Sequence, residues 1–341
     1  MTARYWTALV VSLALMIGVG ERLTAQDLHF SQYYHSPLNT SPALTGIFSG
    51  DIRMGANGRQ QWQNVPVPYL TFSGYYDRKI YLPRLNNGLL GGGILFNYDR
   101  AGDGNLSWAQ IGLAAAYTQQ LAESHFLTGG VMLQLGQRAF DQTKLYIDDQ
   151  YNGVLFDPTQ STAESFPTTS VAYTDLSAGL NWLAISRENR SQAVAGLAFY
   201  HLTQPAVGFF EDKSATLPMR SMVYANGVIQ VAEKIDLAVH GAWQLISPQR
   251  ELLAGAGVRY HLKTGPLQTV ALQAGLSMRL GDALIPHIEL YYNDWLVGLS
   301  YDINTSPFQV ATARRGGPEI AVRYIITKVK PPDTFKTCPV F

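Results

Sequence analysis

The sequence predicts an all-β fold, a closed antiparallel transmembrane barrel of about fourteen strands. Three observations carry this reading. Side chains alternate between apolar and polar-or-small types over many segments of roughly ten residues, the period of a strand with one greasy face. Hydrophobic residues make up 47% of the 341, yet after residue 25 no apolar run approaches the ~20 residues of a membrane-spanning helix. Short links alternate with long ones along the chain, as in barrels with short turns at one end and long loops at the other.

Residues 1–25 read as a secretory signal. Arg4 supplies the positive start, Trp6 to Gly18 the apolar stretch, and Ala25 a small residue before the expected cleavage at Gln26. Glu21 and Arg22 favour cleavage over a retained anchor. Residues 26–50 precede the first strand and contain "QDLHFSQYYHSPLNTSPALTG". Pro37 and Pro42 block a central strand and a helix interior, while Phe30, Tyr33 and Tyr34 add uncharged aromatic surface. This segment is expected to be an extended strap, lying across the periplasmic mouth or tucked into the lumen. The alternative is a disordered leader, which its aromatic content opposes.

The barrel is expected over 51–328. Strands are placed near 51–61, 69–79, 88–99, 108–121, 125–140, 174–184, 192–201, 218–232, 235–245, 251–261, 269–280, 283–292, 295–302 and 319–328. In Val270–Leu280, for example, Val270, Leu272, Ala274, Leu276, Met278 and Leu280 oppose Ala271, Gln273, Gly275, Ser277 and Arg279. A pair of soluble sandwiches would need a linker, and none is visible. Aromatics near strand ends, among them Tyr117, Trp182, Tyr200, Trp243, Tyr260, Tyr292 and Trp295, fit interfacial girdles facing outer-membrane lipid. Residues 329–341 form the expected periplasmic tail.

Alternation assigns both signs of charge to the inward face: Arg53, Arg59, Asp99, Arg138, Asp236, His240, Arg259, Arg279, Glu289 and Arg323. Such charges must pair or meet water. Glycines share that face, including Gly91, Gly179, Gly255 and Gly275, and leave room for another segment to enter. Two readings stand, a water-filled lumen and a lumen filled by a plug or a client peptide. With both termini periplasmic, the longest links, 141–173, 202–217 and 303–318, all emerge outside. They carry Tyr146, Tyr151, Phe156, Phe166, Phe209, Phe210 and Phe308, either a docking surface for a protein partner or a set that closes the mouth by self-packing.

Chemistry is sparse. Twenty-five basic and 25 acidic residues balance, which argues against nucleic acid as a partner. The single cysteine, Cys338, cannot form an internal disulfide. No zinc spacing, GxSxG, HExxH or P-loop occurs, so neither a cofactor, a metal nor an enzyme is expected. His240 or His287 could pair with an inward serine, but the sequence singles out no such pair. "YIDDQYNG", 146–153, resembles the start of a calcium loop, yet Thr159 stands where a bidentate glutamate is required.

Several stretches resemble the PorP/SprF family of type IX secretion membrane proteins. They are "QDLHFSQYYHSPLNTSPALTG", "GGGILFNYDRAGDGNLS" at 91–107, "LYIDDQYNGVLFDPTQSTAESF" at 145–166, "DLSAGLNW" at 175–182 and the tail "CPVF". They are spread over the whole mature chain in the expected order. The resemblance implies an outer-membrane barrel working with type IX secretion components of gliding and secreting Gram-negative bacteria. It implies association with the periplasmic ring and motor. It further implies, for some members, export or anchoring of a large secreted adhesin. It leaves the client unnamed. The sequence departs from the common barrel ending, because Pro331-Pro332 separates the last strand from Phe341. Two functions are therefore weighed: a non-enzymatic secretion and surface-attachment barrel, and a FadL-like or porin-like channel for small molecules.

Overall fold

The computed structural model describes residues 28–61, 69–82, 88–102, 104–145, 147–151, 153–157, 160, 164, 166–210, 215–265, 268–307 and 309–327. The expected signal segment and the tail lie outside these residues. Fourteen strands form a closed antiparallel meander in which each pairs with its chain neighbours and the last returns to the first. They are β1 Ile52–Gln61, β2 Tyr69–Ile80, β3 Gly88–Ala101, β4 Leu106–Ala122, β5 His125–Ala139, β6 Ser170–Ile185 and β7 Gln192–Tyr200. The chain continues through β8 Arg220–Ala232, β9 Ile235–Ile246, β10 Gln249–Thr264, β11 Thr269–Arg279, β12 Ala283–Tyr292, β13 Trp295–Asn304 and β14 Arg315–Ile326. The closing seam pairs Ile52 with Ile326 and Arg59 with Glu319.

The alternation in the sequence becomes an inside and an outside. Along β4 and β5, Leu113, Leu121, Val131, Leu133 and Leu135 are more than half exposed, while Ala114, Ala116, Met132 and Gln134 on the alternate positions are buried. The apolar face thus points outward, and the interior is where the charges sit. Arg59 and Glu319 are 2% exposed and Glu289 is fully buried.

Several strands run further than side-chain pattern predicts. β6 begins at Ser170 instead of 174, β10 at Gln249 instead of 251, and β14 at Arg315 instead of 319. Backbone hydrogen bonds propagate a ladder beside a longer neighbour whatever the side chains are, so polar residues at the rim stay in the sheet. β14 also ends at Ile326, two residues early. One expected girdle aromatic, Tyr200, faces inward instead, and so does Trp108, also near a strand end. Tyr200 is 1% exposed, and the Trp108 indole donates to the Tyr173 hydroxyl inside the rim.

The segment before β1 is not extended. It folds as three single turns, Tyr33–His35, Pro37–Thr40 and Pro42–Leu44. Pro37 and Pro42 each open a turn, where no N–H is needed and the fixed φ suits a helical start. Ser41 caps the third turn by accepting from the Ala43 amide at 3.2 Å.

Depth on the outer face sets the first prediction. Leu276→Arg places a charge at mid-wall and should cost ~2–4 kcal/mol, whereas Gln137→Arg at the rim should cost ~0–1 kcal/mol. Heat-modifiability on gels should show less assembled barrel for the first and a parental level for the second. Equal levels in both would contradict the lipid-facing assignment.

Candidate functional site: the lumen and its N-terminal segment

The end at which β1 begins and β14 finishes is the near end of the barrel. Residues 28–50 run inside, from the far half to the near end, before turning into β1. The carbonyls of Leu28 and His29 meet Arg220, the first residue of β8, and Arg59, close to the far end of β1. Lower down, the Gly46 amide donates to Asp77 at 2.8 Å, and Gly46 itself takes a positive φ of 79° to turn the chain.

Single turns leave most backbone groups without internal partners, and a buried unpaired amide or carbonyl costs about as much as a lost hydrogen bond. The barrel wall supplies what is missing. Carboxylates take the amides: Glu319 accepts from Ser31 at 2.7 Å and Gln32 at 2.8 Å. Guanidinium groups take the carbonyls. Arg53 donates to Leu44 at 3.0 Å, Arg59 to His29 at 2.9 Å, and Arg220 to Leu28 and Asn39 at 3.2 Å each. The same charges neutralise each other. Arg53 pairs with Asp77 at 2.8 Å, and Asp302 receives Arg59 at 2.6 Å, Arg279 at 3.0 Å and the Ser31 hydroxyl at 2.7 Å. Buried ion pairs of this kind need their remaining hydrogen-bonding capacity filled, and the segment fills much of it, leaving the buried Nε of Arg59 and of Arg279 without a hydrogen bond among the described residues.

Glu289 anchors the aromatic part. It accepts from Tyr34 at 3.0 Å, Gln273 at 2.9 Å and Tyr291 at 2.6 Å, and lies 3.3 Å from His35. Tyr33 donates to Asn226 at 2.5 Å. Glycines shape the cradle. A Cβ on Gly130 would lie 2.5 Å from the backbone of Pro42 and Ala43, and one on Gly91, Gly179 or Gly298 would collide with Thr45, Ser41 or Gln32. Small cavities of about 20 and 90 Å³ remain beside Tyr33 and Tyr34.

Of the residues assigned inward from sequence, Arg53, Arg59, Arg279, His240 and Glu289 are brought to the segment. The His240 ring packs at a tilt against Tyr34, with ring centroids 4.5 Å apart. The others serve the wall. Asp99 accepts from Thr71 at 2.6 Å, and Asp236 from Arg190 and His261 near the rim. Arg259 donates to Gln273 and Tyr291, while the buried Nε of Arg323 has no hydrogen-bond partner among the described residues. Arg138 lies opposite Trp108 at the far rim. Sequence reasoning missed Asp77, Arg220, Asp302 and Glu319, although Glu319 shares the parity of Arg323 and Asp302 that of Ser300.

A serine–histidine contact does occur, His240 Nε2 to Ser277 Oγ at 2.8 Å. Among the described residues no carboxylate hydrogen-bonds to His240, so nothing orients it as a general base. No group of three or more potential metal ligands occurs among the described residues either.

At the far end the loops 140–169 and 201–219 meet through aromatic rings. Phe140 contacts Phe166 at 4.9 Å and Phe209 at 4.6 Å, and Phe166 contacts Phe210 at 5.5 Å. Phe210 remains 55% exposed. Tyr151 and Phe156 face each other across an isolated bridge, both exposed. Tyr146 and Phe308 lie outside the described residues.

Gly130→Val should dislodge the segment, because the new methyl groups would occupy the space of Pro42 and Ala43. Gly129→Ala, with open space at its Cβ, should not. Limited proteolysis of the assembled barrel should cut within 28–50 in the first variant and leave the second as resistant as the parent.

Solved structures similar to this one include the toluene transporter TbuX of Ralstonia pickettii, at 9% identity and a TM-score of 0.48 over 85% of this chain and 93% of that one. A FadL homologue of Pseudomonas aeruginosa gives 11%, 0.46, 83% and 92%, respectively. The toluene transporter TodX of P. putida gives 11%, 0.43, 85% and 94%. No curated protein sequence matches. The family model described as type IX secretion system membrane protein PorP/SprF matches residues 23–324. The chain is an outer-membrane β-barrel and belongs to the PorP/SprF family of type IX secretion system membrane proteins.

Proposed function

We propose that this protein is a non-enzymatic, plugged barrel that supports export or surface attachment of one large secreted protein, in concert with other type IX components. The observation that supports this best is the filled lumen. A segment held by four arginines and four carboxylates of the wall, with its aromatic side chains inside, is built to stay. In this reading the near end faces the periplasm, the segment 28–50 is the plug, and the far-end loops face outward. The aromatic rings of Phe166, Phe209 and Phe210 then form the client contact, since burying each against a partner contributes on the order of 1–3 kcal/mol.

A small-molecule channel would need the plug to move or to leak. Purified protein in planar bilayers is expected to carry little steady current, and removal of residues 28–46 is expected to raise it. A wide permanent pore in the intact protein would favour the channel.

The client reading has its own test. A strain lacking the chain should lose one large protein from its surface. Phe209→Ala combined with Phe210→Ala should leave barrel abundance unchanged and reduce display of that same protein. Display that persists while detergent sensitivity rises would make the rings a lid only.

A further inference from the structure

Among the described residues, the longest stretch of strand without a neighbour on one side lies in β6. β6 pairs with β5 along its whole length, but with β7 only over Ala178–Ile185. β7, at nine residues, is the shortest strand, and the chain leaves the sheet at His201. This non-glycine residue sits at a φ of 58°, held by its Nδ1 at 2.7 Å from the Asp175 carboxylate. Beyond it, Ala206 bridges Thr216, and Phe209 and Phe210 lie against Phe140 and Phe166.

The far half of β6, Ser170 to Ser177, thus has an edge. Leu202 donates its amide to the Leu176 carbonyl at 3.0 Å, which fixes the parity: the even-numbered residues turn their N–H and C=O groups to the β7 side. The Ser170 amide is satisfied by the Thr168 hydroxyl, and the Thr203 hydroxyl reaches the Thr174 carbonyl at 3.4 Å. Among the described residues, nothing accepts from the amides of Ala172 and Thr174, and nothing donates to the Ala172 carbonyl. The outward side chains pass from Leu176 through Thr174 and Ala172 to Ser170, from apolar to polar, so the edge straddles the outer interface. A barrel otherwise abolishes such edges, because each is a template for another strand.

We propose that this edge is a docking strand: an extended segment of the secreted client adds beside Ser170–Leu176 and continues the ladder that β7 begins. The idea rests on the client reading above. Three observations commit the occupant to a peptide strand. The free groups are backbone donors and acceptors at strand spacing, as strand addition requires. The position continues an existing hydrogen-bonded interface. The lumen side of the interruption is closed by the buried Tyr173, Tyr200 and the His201–Asp175 pair, which leaves no route for a small molecule to pass through the wall there.

Proline distinguishes the two sides of β6. Ala172→Pro and Thr174→Pro remove amides that the ladder to β5 does not use, whereas Tyr173→Pro removes one that it does. The readout is surface display of the protein lost on deleting this chain. The edge variants should assemble at the parental level and lower display by about tenfold, the weight of one or two backbone hydrogen bonds. A photo-crosslinking residue at Thr174 should yield an adduct with that protein, and one at Leu272 on the distant wall should not. Normal display with normal barrel levels overturns the proposal. Where a proline variant fails to assemble, the cross-link decides, and an adduct with lipid, with a second copy or with nothing overturns it. A deletion strain with an unchanged surface proteome removes the client reading itself; a lost client with unaffected edge variants removes the docking strand alone.

Discussion

Backbone groups of residues 28–47 have no sheet to join and little helix to share, so the wall must satisfy them. Every carboxylate and guanidinium that does this is itself buried, and each would be costly alone in the interior. The segment and the charged wall therefore stabilise one another, and neither has an independent low-energy form. With Ser31 and Gln32 absent, Glu319 on β14 would sit near Asp302 on the neighbouring β13 with fewer donors between them. The inward glycines follow from the same constraint, since backbone can approach backbone closely only where no Cβ stands between.

The filled interior also changes what an inward position tolerates. In an open, wet lumen, arginine at Gln273 or Ser277 would be a mild change. Here Gln273 bridges Arg259 and Glu289, and Ser277 bonds His240. Both faces of β11 are thus intolerant of a new charge, for different reasons: lipid on one side, and close packing of polar groups on the other.

The outward face was legible because lipid demands apolar residues at period two, and Leu272, Leu276 and Met278 meet that demand without exception. The inward face was legible only in part. Glu289 is visible as a charge amid an apolar strand and Arg59 by its inward parity with Arg53, but Asp77 and Asp302 lie near strand ends, where a charge also reads as a rim residue. What they bind was not legible at all. The partners are separated by up to 288 residues, and which of them face each other depends on strand stagger and barrel closure. Tyr200 shows the same limit from another side. An aromatic ring at a strand end suits a girdle and a lumen equally well, and only the Leu38 carbonyl at 2.8 Å from its hydroxyl decides.

The seam between β1 and β14 has a consequence for how the molecule is made. Arg59 and Glu319 are opposite each other in that register, and they grip adjacent residues of the segment, His29 on one side and Ser31 with Gln32 on the other. The earliest part of this region of the chain thus finds its partners on the last strand, some 290 residues later. Loop closure over such a separation is slow, and it cannot precede synthesis of the final strand. Seating the segment and sealing the cylinder are consequently a single late event. Until then the first residues and the last strand are both unsatisfied, and a folding factor that held the two ends together would be acting on the slowest step of assembly.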